Sequence, residues 1–262
     1  MTETVLLERR NRVAIVTLNR PGNANTLDLA MGRALLQVAL LCEADAGIGA
    51  VVLTGAGKHF CFGGDLRGMV DSGASVSGYL NELTTHLHAA ITCFTRLRAP
   101  VIAAVNGTAA GAGVGLVCMA DLALGGRSTK FSLAYTGVGL APDGSTSFLL
   151  PRIVGRHRAM ELFLTNRALG AEEAQQWGLL NQVVDDELLL TEAFALAERL
   201  AAGPTESFGA VKRLMTASEP GLEAQLALEG RTIAAQGVHA EGREGIAAFL
   251  EKRKPEYHGG SR

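Results

Sequence analysis

The stretch APVIAAVNGTAAGAGVGL, residues 99–116, is a short apolar run without alternation, closed by Asn106-Gly107 and followed by a segment of small residues. A run of this kind between a proline and a turn dipeptide reads as a strand buried on both faces. VIAAV at 101–105 is that strand, and Gly111 to Met119 is a helix of small residues. DLALG at 121–125 predicts another strand directly after it. Strand, helix, strand at this spacing requires a crossover connection, and hence a mostly parallel sheet covered on both sides.

Outward from this unit the pattern repeats. AVVLT at 50–54 is a second buried strand, with GAGKHF after it as a glycine-rich turn. Apolar residues recur at helical spacing from Leu27 to Ala44 and again from Ser77 to Leu97. Val5 to Glu8 and Val13 to Leu18 alternate around RRNR, which predicts a hairpin. Beyond Pro151 the character changes, because GAEEAQQWG, TEAFALAERLAA and PTESFGAVKRLM carry helical periodicity bounded by glycine or proline. The expectation is an α/β core over 1–198 and a helical region over 199–262, with no linker between them.

Composition narrows the function classes. The formal net charge of −2 over 262 residues argues against a strongly basic face, so no nucleic-acid partner is expected. Cys42, Cys61, Cys93 and Cys118 form no C-x-x-C pair, and read as small buried hydrophobes rather than metal or redox ligands. MTETVLLERR lacks the basic and then apolar order of a secretory signal. AAGAGVGLVCMA stops at Asp121, short of the roughly 20 apolar residues that span a bilayer. A cytoplasmic setting without a membrane partner is expected.

Two glycine-rich turns follow buried strands, FCFGGDL at 60–66 and NGTAAGAGVGL at 106–116. Position 116 is Leu, which breaks a dinucleotide-type G-x-G-x-x-G, and TGAGK lacks the first glycine of a phosphate-binding loop. What remains is a pair of backbone donors at strand ends, each opening a helix, which suits a developing oxyanion. Tight turns that merely pack helix on strand are the alternative. Asp143, in GLAPDGSTSFLLPRIVG at 139–155, is likewise open to two readings: an N-cap or Asp-Gly turn, or a chemical group. His59 is expected at the surface and Trp177 in the core.

Taken together, these three blocks and GIAAFLEKRKPEY at 245–257 resemble the enoyl-CoA hydratase/isomerase family, the crotonase superfamily. The resemblance runs over nearly the whole chain. It implies a ββα spiral core with a C-terminal helical trimerisation region, acyl-CoA thioester substrates, and homotrimers or homohexamers. Coenzyme A is part of the substrate, and no metal or other cofactor is implied. Carried over by position, the oxyanion donors are the N–H groups of Gly64 and Ala112. Ala24 and Phe62 line the coenzyme A path, and Leu66, Tyr135 and Leu140 are further substrate contacts. Phe249 and Lys252 reach the coenzyme A of a neighbouring subunit, with a solvated terminal charge as the alternative for Lys252. Asp65 and Asp121 are placed at a helix start and a strand end by the resemblance alone.

The departures from the family pattern bear on the reaction. Where its hydratases use two glutamates, this chain has Gly115 and Tyr135. A glycine transfers no proton, and a phenol of ordinary pKa about 10 is a poor replacement for a carboxylate. Around LAPDGS and LPRIVG the chain is similar to the isomerases of bacterial phenylacetate degradation, and also to 4-chlorobenzoyl-CoA dehalogenases. That similarity makes Asp143 the acid/base of an isomerase, within an expected apolar lining of Phe62, Leu140 and Phe148. The alternatives are a hydratase, a non-catalytic acyl-CoA binder, and a dehalogenase-like hydrolase with Asp143 as nucleophile and His88 as base.

Overall fold

The structure, a computed structural model, describes residues 3–217 and 221–258. Its centre is a six-stranded sheet of β1 (Val5–Arg10), β2 (Val13–Leu18), β3 (Ala50–Gly55), β4 (Val101–Val105), β6 (Leu122–Gly126) and β9 (Gln182–Val184), in that spatial order. The β1–β2 hairpin is antiparallel and every later pairing in this sheet is parallel. Between β4 and β6 the chain forms β5 (Thr108–Ala110), which joins β7 (Lys130–Ser132) and β8 (Leu169–Gly170) in a small second sheet.

The inner strands β3 and β4 are buried on both faces, which is why they read as apolar runs. On one face Val16, Leu53, Ala103 and Val105 pack against α1 (Leu29–Ala44) and α3 (Val76–Arg96) through Leu35, Leu87 and Phe94. The alternate residues Val13, Val52, Ile102 and Leu124 face α8 (Leu189–Ala201), whose Ala193, Ala197 and Ala201 allow a close approach. α1 starts after Asp28, whose carboxylate accepts the Met31 N–H at 2.8 Å and satisfies one donor of the first turn.

Four sequence expectations change in detail. The Asn106-Gly107 turn does not run straight into a helix, because β5 intervenes before α4 (Ala112–Cys118). The last third is not wholly helical, since β8 and β9 lie within it. Strands this short carry no readable period. His59 is half-buried, with its ring edge-on to Phe62 at 4.7 Å between centroids. Cys42, Cys61 and Cys118 are buried, whereas Cys93 is only partly covered.

The remaining helices are α2 (Leu66–Asp71), α5 (Thr146–Val154), α6 (Arg156–Thr165), α7 (Ala171–Gln176), α9 (Thr205–Thr216), α10 (Leu222–Val238) and α11 (Ala240–Leu250). Trp177, just after α7, is partly buried against the core beneath the guanidinium groups of Arg158 and Arg167. The expected limit at residue 198 falls inside α8. Among the described residues no helix is long and apolar enough to cross a membrane.

Candidate active site

The two glycine-rich turns lie against each other. Ala110 N–H donates to the Cys61 carbonyl at 2.8 Å, so residues 61–63 run beside 109–111. At Gly63, with φ +78°, an added Cβ would stand 2.8 Å from the Ala110 carbonyl and 3.2 Å from the Ala112 nitrogen. Only glycine fits there. Leu27 N–H donates to the Gly63 carbonyl and Asp65 N–H to the Leu27 carbonyl, at 2.7 and 2.9 Å. In this parallel pairing the N–H of Gly64 points away from Leu27. Ala112 is the first residue of α4, where an N–H has no intrahelical partner. Neither N–H meets a protein acceptor among the described residues.

Both residues line one cleft of about 630 Å³. Asp143 lines it too, and its side chain is 33% exposed. The carboxylate does not cap α5: Oδ1 accepts the Tyr135 hydroxyl at 2.8 Å, and it is the Asp143 carbonyl that takes Thr146 N–H. Burial, and then the charge of Asp143, raises the Tyr135 phenol above its usual value, so it remains a donor. His88, on α3, has Nε2 4.0 Å from Asp143 Oδ2, and that nitrogen accepts Gly144 N–H at 3.2 Å.

Asp65 also faces the cleft, but its carboxylate is engaged. Oδ1 accepts Arg67 N–H and Gly68 N–H at the start of α2, and Oδ2 meets Arg20 at 3.1 Å. Gly115 explains why a second carboxylate is missing: a Cβ there would collide with the Gly144 carbonyl. The backbone of the Asp143 loop occupies the space a glutamate would need. Cys61, beneath the turn, is not a nucleophile, because burial pushes its thiol up to about 12.

The sequence-derived residues thus divide. Gly64, Ala112, Asp143, Tyr135, Phe62, Leu66 and Leu140 share the cleft, and His88 stands beside Asp143. Ala24 itself does not line the cleft, although its neighbours Gly22 and Asn23 do, and its carbonyl takes the Phe62 N–H at 3.1 Å. For Phe148 the expectation is corrected: it is half-exposed beneath Arg152 and outside the cleft. Phe249 and Lys252 are exposed and do not line this cleft within their own chain. The sequence reading missed the α3 wall of Leu80, Leu83, Thr84 and Leu87. Their helical spacing marked a buried face without saying what it faces.

This geometry has counterparts in known proteins. Residues 8–260 match the model of a family described as enoyl-CoA hydratase/isomerase. The chain is 40% identical to a 1,2-epoxyphenylacetyl-CoA isomerase of Escherichia coli, over 99% of this chain and all of that one. It is 42% identical to a probable enoyl-CoA hydratase of Rhodobacter capsulatus, over 98% of each. A 4-chlorobenzoyl coenzyme A dehalogenase of an Arthrobacter species is 36% identical over 95% of this chain and 91% of its own. The crystal structure of an enoyl-CoA hydratase from Polaromonas superposes with a TM-score of 0.92 at 33% identity, covering 97% of this chain and 99% of that one. With its paired glycine turns and crotonase-type fold, this chain belongs to the enoyl-CoA hydratase/isomerase family.

Proposed function

We propose that this enzyme isomerises an acyl-CoA, by moving a double bond or rearranging a ring epoxide, with Asp143 carrying the proton. The observation that supports this most is a carboxylate facing the same cleft as two backbone N–H groups that meet no protein acceptor among the described residues. The family resemblance adds that Gly115 and Tyr135 stand where hydratases are expected to carry glutamates. In the double-bond reaction Gly64 and Ala112 donate to the thioester oxygen, which acidifies the adjacent carbon. Asp143 takes a proton there, the C–H electron pair enters a dienolate whose charge rests on the gripped oxygen, and the same proton returns two carbons along. Oδ2 suits this role, because Tyr135 holds Oδ1.

Proton transfer of this kind needs no metal or redox group, and coenzyme A enters as part of the substrate. A cytoplasmic homotrimer or homohexamer, with Phe249 and Lys252 meeting a neighbour's coenzyme A, belongs to the same proposal. Within the chain's own cleft these two residues have no such role.

A second reading rests on the 4.0 Å approach of His88 to Asp143. It makes Asp143 a nucleophile on a halogenated ring and His88 the base that activates water. Asp143→Asn and His88→Gln separate the two. Turnover of 3-enoyl and ring-epoxide thioesters is expected to fall by about 10²-fold or more in the first variant and to persist in the second. Halide release from 4-halobenzoyl-CoA, lost in both variants, would favour the dehalogenase. If acyl-CoA raised the melting temperature of the wild type while none of these thioesters turned over, the chain would be a binder.

A further inference from the structure

The phenol of Tyr135 is a buried titratable group that the proton transfer above does not use. The residue is 8% exposed, yet its hydroxyl reaches both oxygen-bearing groups of one residue: Asp143 Oδ1 at 2.8 Å and the Asp143 carbonyl at 3.2 Å. Its ring edge also passes the oxyanion turn, since a Cβ added at Gly111 would stand 3.8 Å from Tyr135 Cζ. One rigid side chain therefore spans from the residue before the Ala112 donor to the proton-carrying carboxylate.

We infer that Tyr135 is a positioning residue that fixes the Asp143 carboxylate relative to the oxyanion donors, so that Oδ2 alone faces the acyl carbons. The inference rests on the isomerase reading above. Three observations support it. A carboxylate on two rotatable bonds, partly open to solvent, would otherwise sample several orientations. The single hydroxyl proton, directed to Oδ1 at 2.8 Å with the Asp143 carbonyl at 3.2 Å as the other acceptor in reach, ties the carboxylate to a buried ring. Nothing else in the described residues bonds the Asp143 carboxylate: Thr146 takes only its carbonyl, and His88 spends Nε2 on Gly144 N–H. Tyrosine suits this position because burial beside a carboxylate keeps the phenol protonated, whereas a second carboxylate would repel the first.

Positioning has a consequence that simple packing lacks. As Asp143 Oδ2 takes the proton, a C–H bond breaks and an O–H bond forms. On return that O–H bond breaks and a C–H bond forms two carbons away, with no net exchange. A carboxylic acid held over the dienolate delivers its own proton before solvent replaces it. A loosened one turns toward water and exchanges.

The test uses the full-length enzyme and a 3-enoyl-CoA in D2O, comparing wild type, Asp143→Asn and Tyr135→Phe, the last of which keeps the ring. In Tyr135→Phe, kcat is expected to fall about 10-fold to 100-fold with KM within about twofold, since misplacing a reacting group by about 1 Å has this effect. Deuterium at the receiving carbon should rise above the wild-type level. If Asp143→Asn is inactive while Tyr135→Phe matches wild type in kcat and deuterium content, the inference fails and the isomerase reading stands. If Asp143→Asn retains full activity, the reading itself fails and takes the inference with it.

Site-specific replacement of Tyr135 by 4-fluorophenylalanine keeps the result decisive if the Phe variant folds poorly, because fluorine fills the place of the hydroxyl without offering a proton. The same fall in kcat and the same rise in deuterium at the receiving carbon are expected. Wild-type values of both would overturn the inference.

Discussion

Gly115 marks a place where backbone from a later loop leaves no room for a side chain. Its hydrogen faces the Gly144 carbonyl so closely that any Cβ would collide with it, and Gly144 itself has φ +57° with an added Cβ 3.0 Å from that of Ala112. The loop bearing Asp143 can therefore reach the oxyanion turn only because residue 115 is glycine. Gly115→Ala should destabilise the fold by about 1–3 kcal/mol, the usual result of forcing volume into packed backbone. It should also lower isomerisation by pushing Asp143 outward, and Gly115→Glu should yield no hydratase. Thermal melts and hydration assays on a 2-enoyl-CoA check this; a Gly115→Ala protein that melts and turns over like wild type would show that the loop is not packed there. The sequence makes Gly115 legible as a missing acid. It does not disclose that backbone from a later loop fills the place, because that contact exists only once both segments have folded.

At the scale of elements, α2 couples a helix start to the Gly64 N–H beside it. Asp65 caps α2 and immediately follows Gly64, so whatever fixes Asp65 also fixes that N–H. Burial alone would raise the Asp65 carboxyl, but hydrogen bonds from Arg20 and from the Gly68 and Arg67 N–H groups outweigh it and hold the carboxyl below the usual range. The ionised form is thus favoured by the fold. Its stabilisation is complete above the unfolded pKa of about 3.9 and is lost as pH falls through the lower folded value. Asp65→Ala should reduce stability by about 1 kcal/mol near neutral pH from the lost cap. The difference in melting temperature should narrow as pH drops below about 4, and a difference independent of pH would refute the assignment. Asp65 was expected at a helix start from the family blocks in which it recurs, whereas α3 was readable from its periodicity. The α3 stripe of Leu80, Leu83, Thr84 and Leu87 was not readable as a cleft wall, since periodicity reports that a face is covered and not by what. β8 and β9 escaped for the opposite reason, being pairings of a few residues set by their partners.

Across the whole molecule, the helical C-terminal part is joined to the sheet by an ion pair between the buried Lys212 and the partly exposed Asp121. Lys212 of α9 is 8% exposed and meets Asp121 Oδ2 at 2.6 Å, while its ammonium also donates to the carbonyls of Phe94 and Ala99 at 3.2 Å. Asp121 in turn accepts the Val101 N–H at 2.7 Å, so one pair ties α9 to the ends of α3, β4 and β6. Burial raises the Asp121 carboxyl and lowers the Lys212 ammonium, and in each case the partner charge opposes the shift without reversing it. Each charged form is therefore costly here unless the other is present. Lys212→Met should destabilise the fold by about 1–3 kcal/mol, because it leaves two carbonyls without their donor while the partly exposed Asp121 carboxylate can turn to water. Adding Asp121→Asn should recover part of that loss, since the amide removes the stranded charge and its oxygen still accepts Val101 N–H. Urea melts of wild type, both single variants and the double variant close the cycle. Additive losses would mean that the two groups do not act as a pair, and that α9 is held to the sheet by its apolar contacts alone.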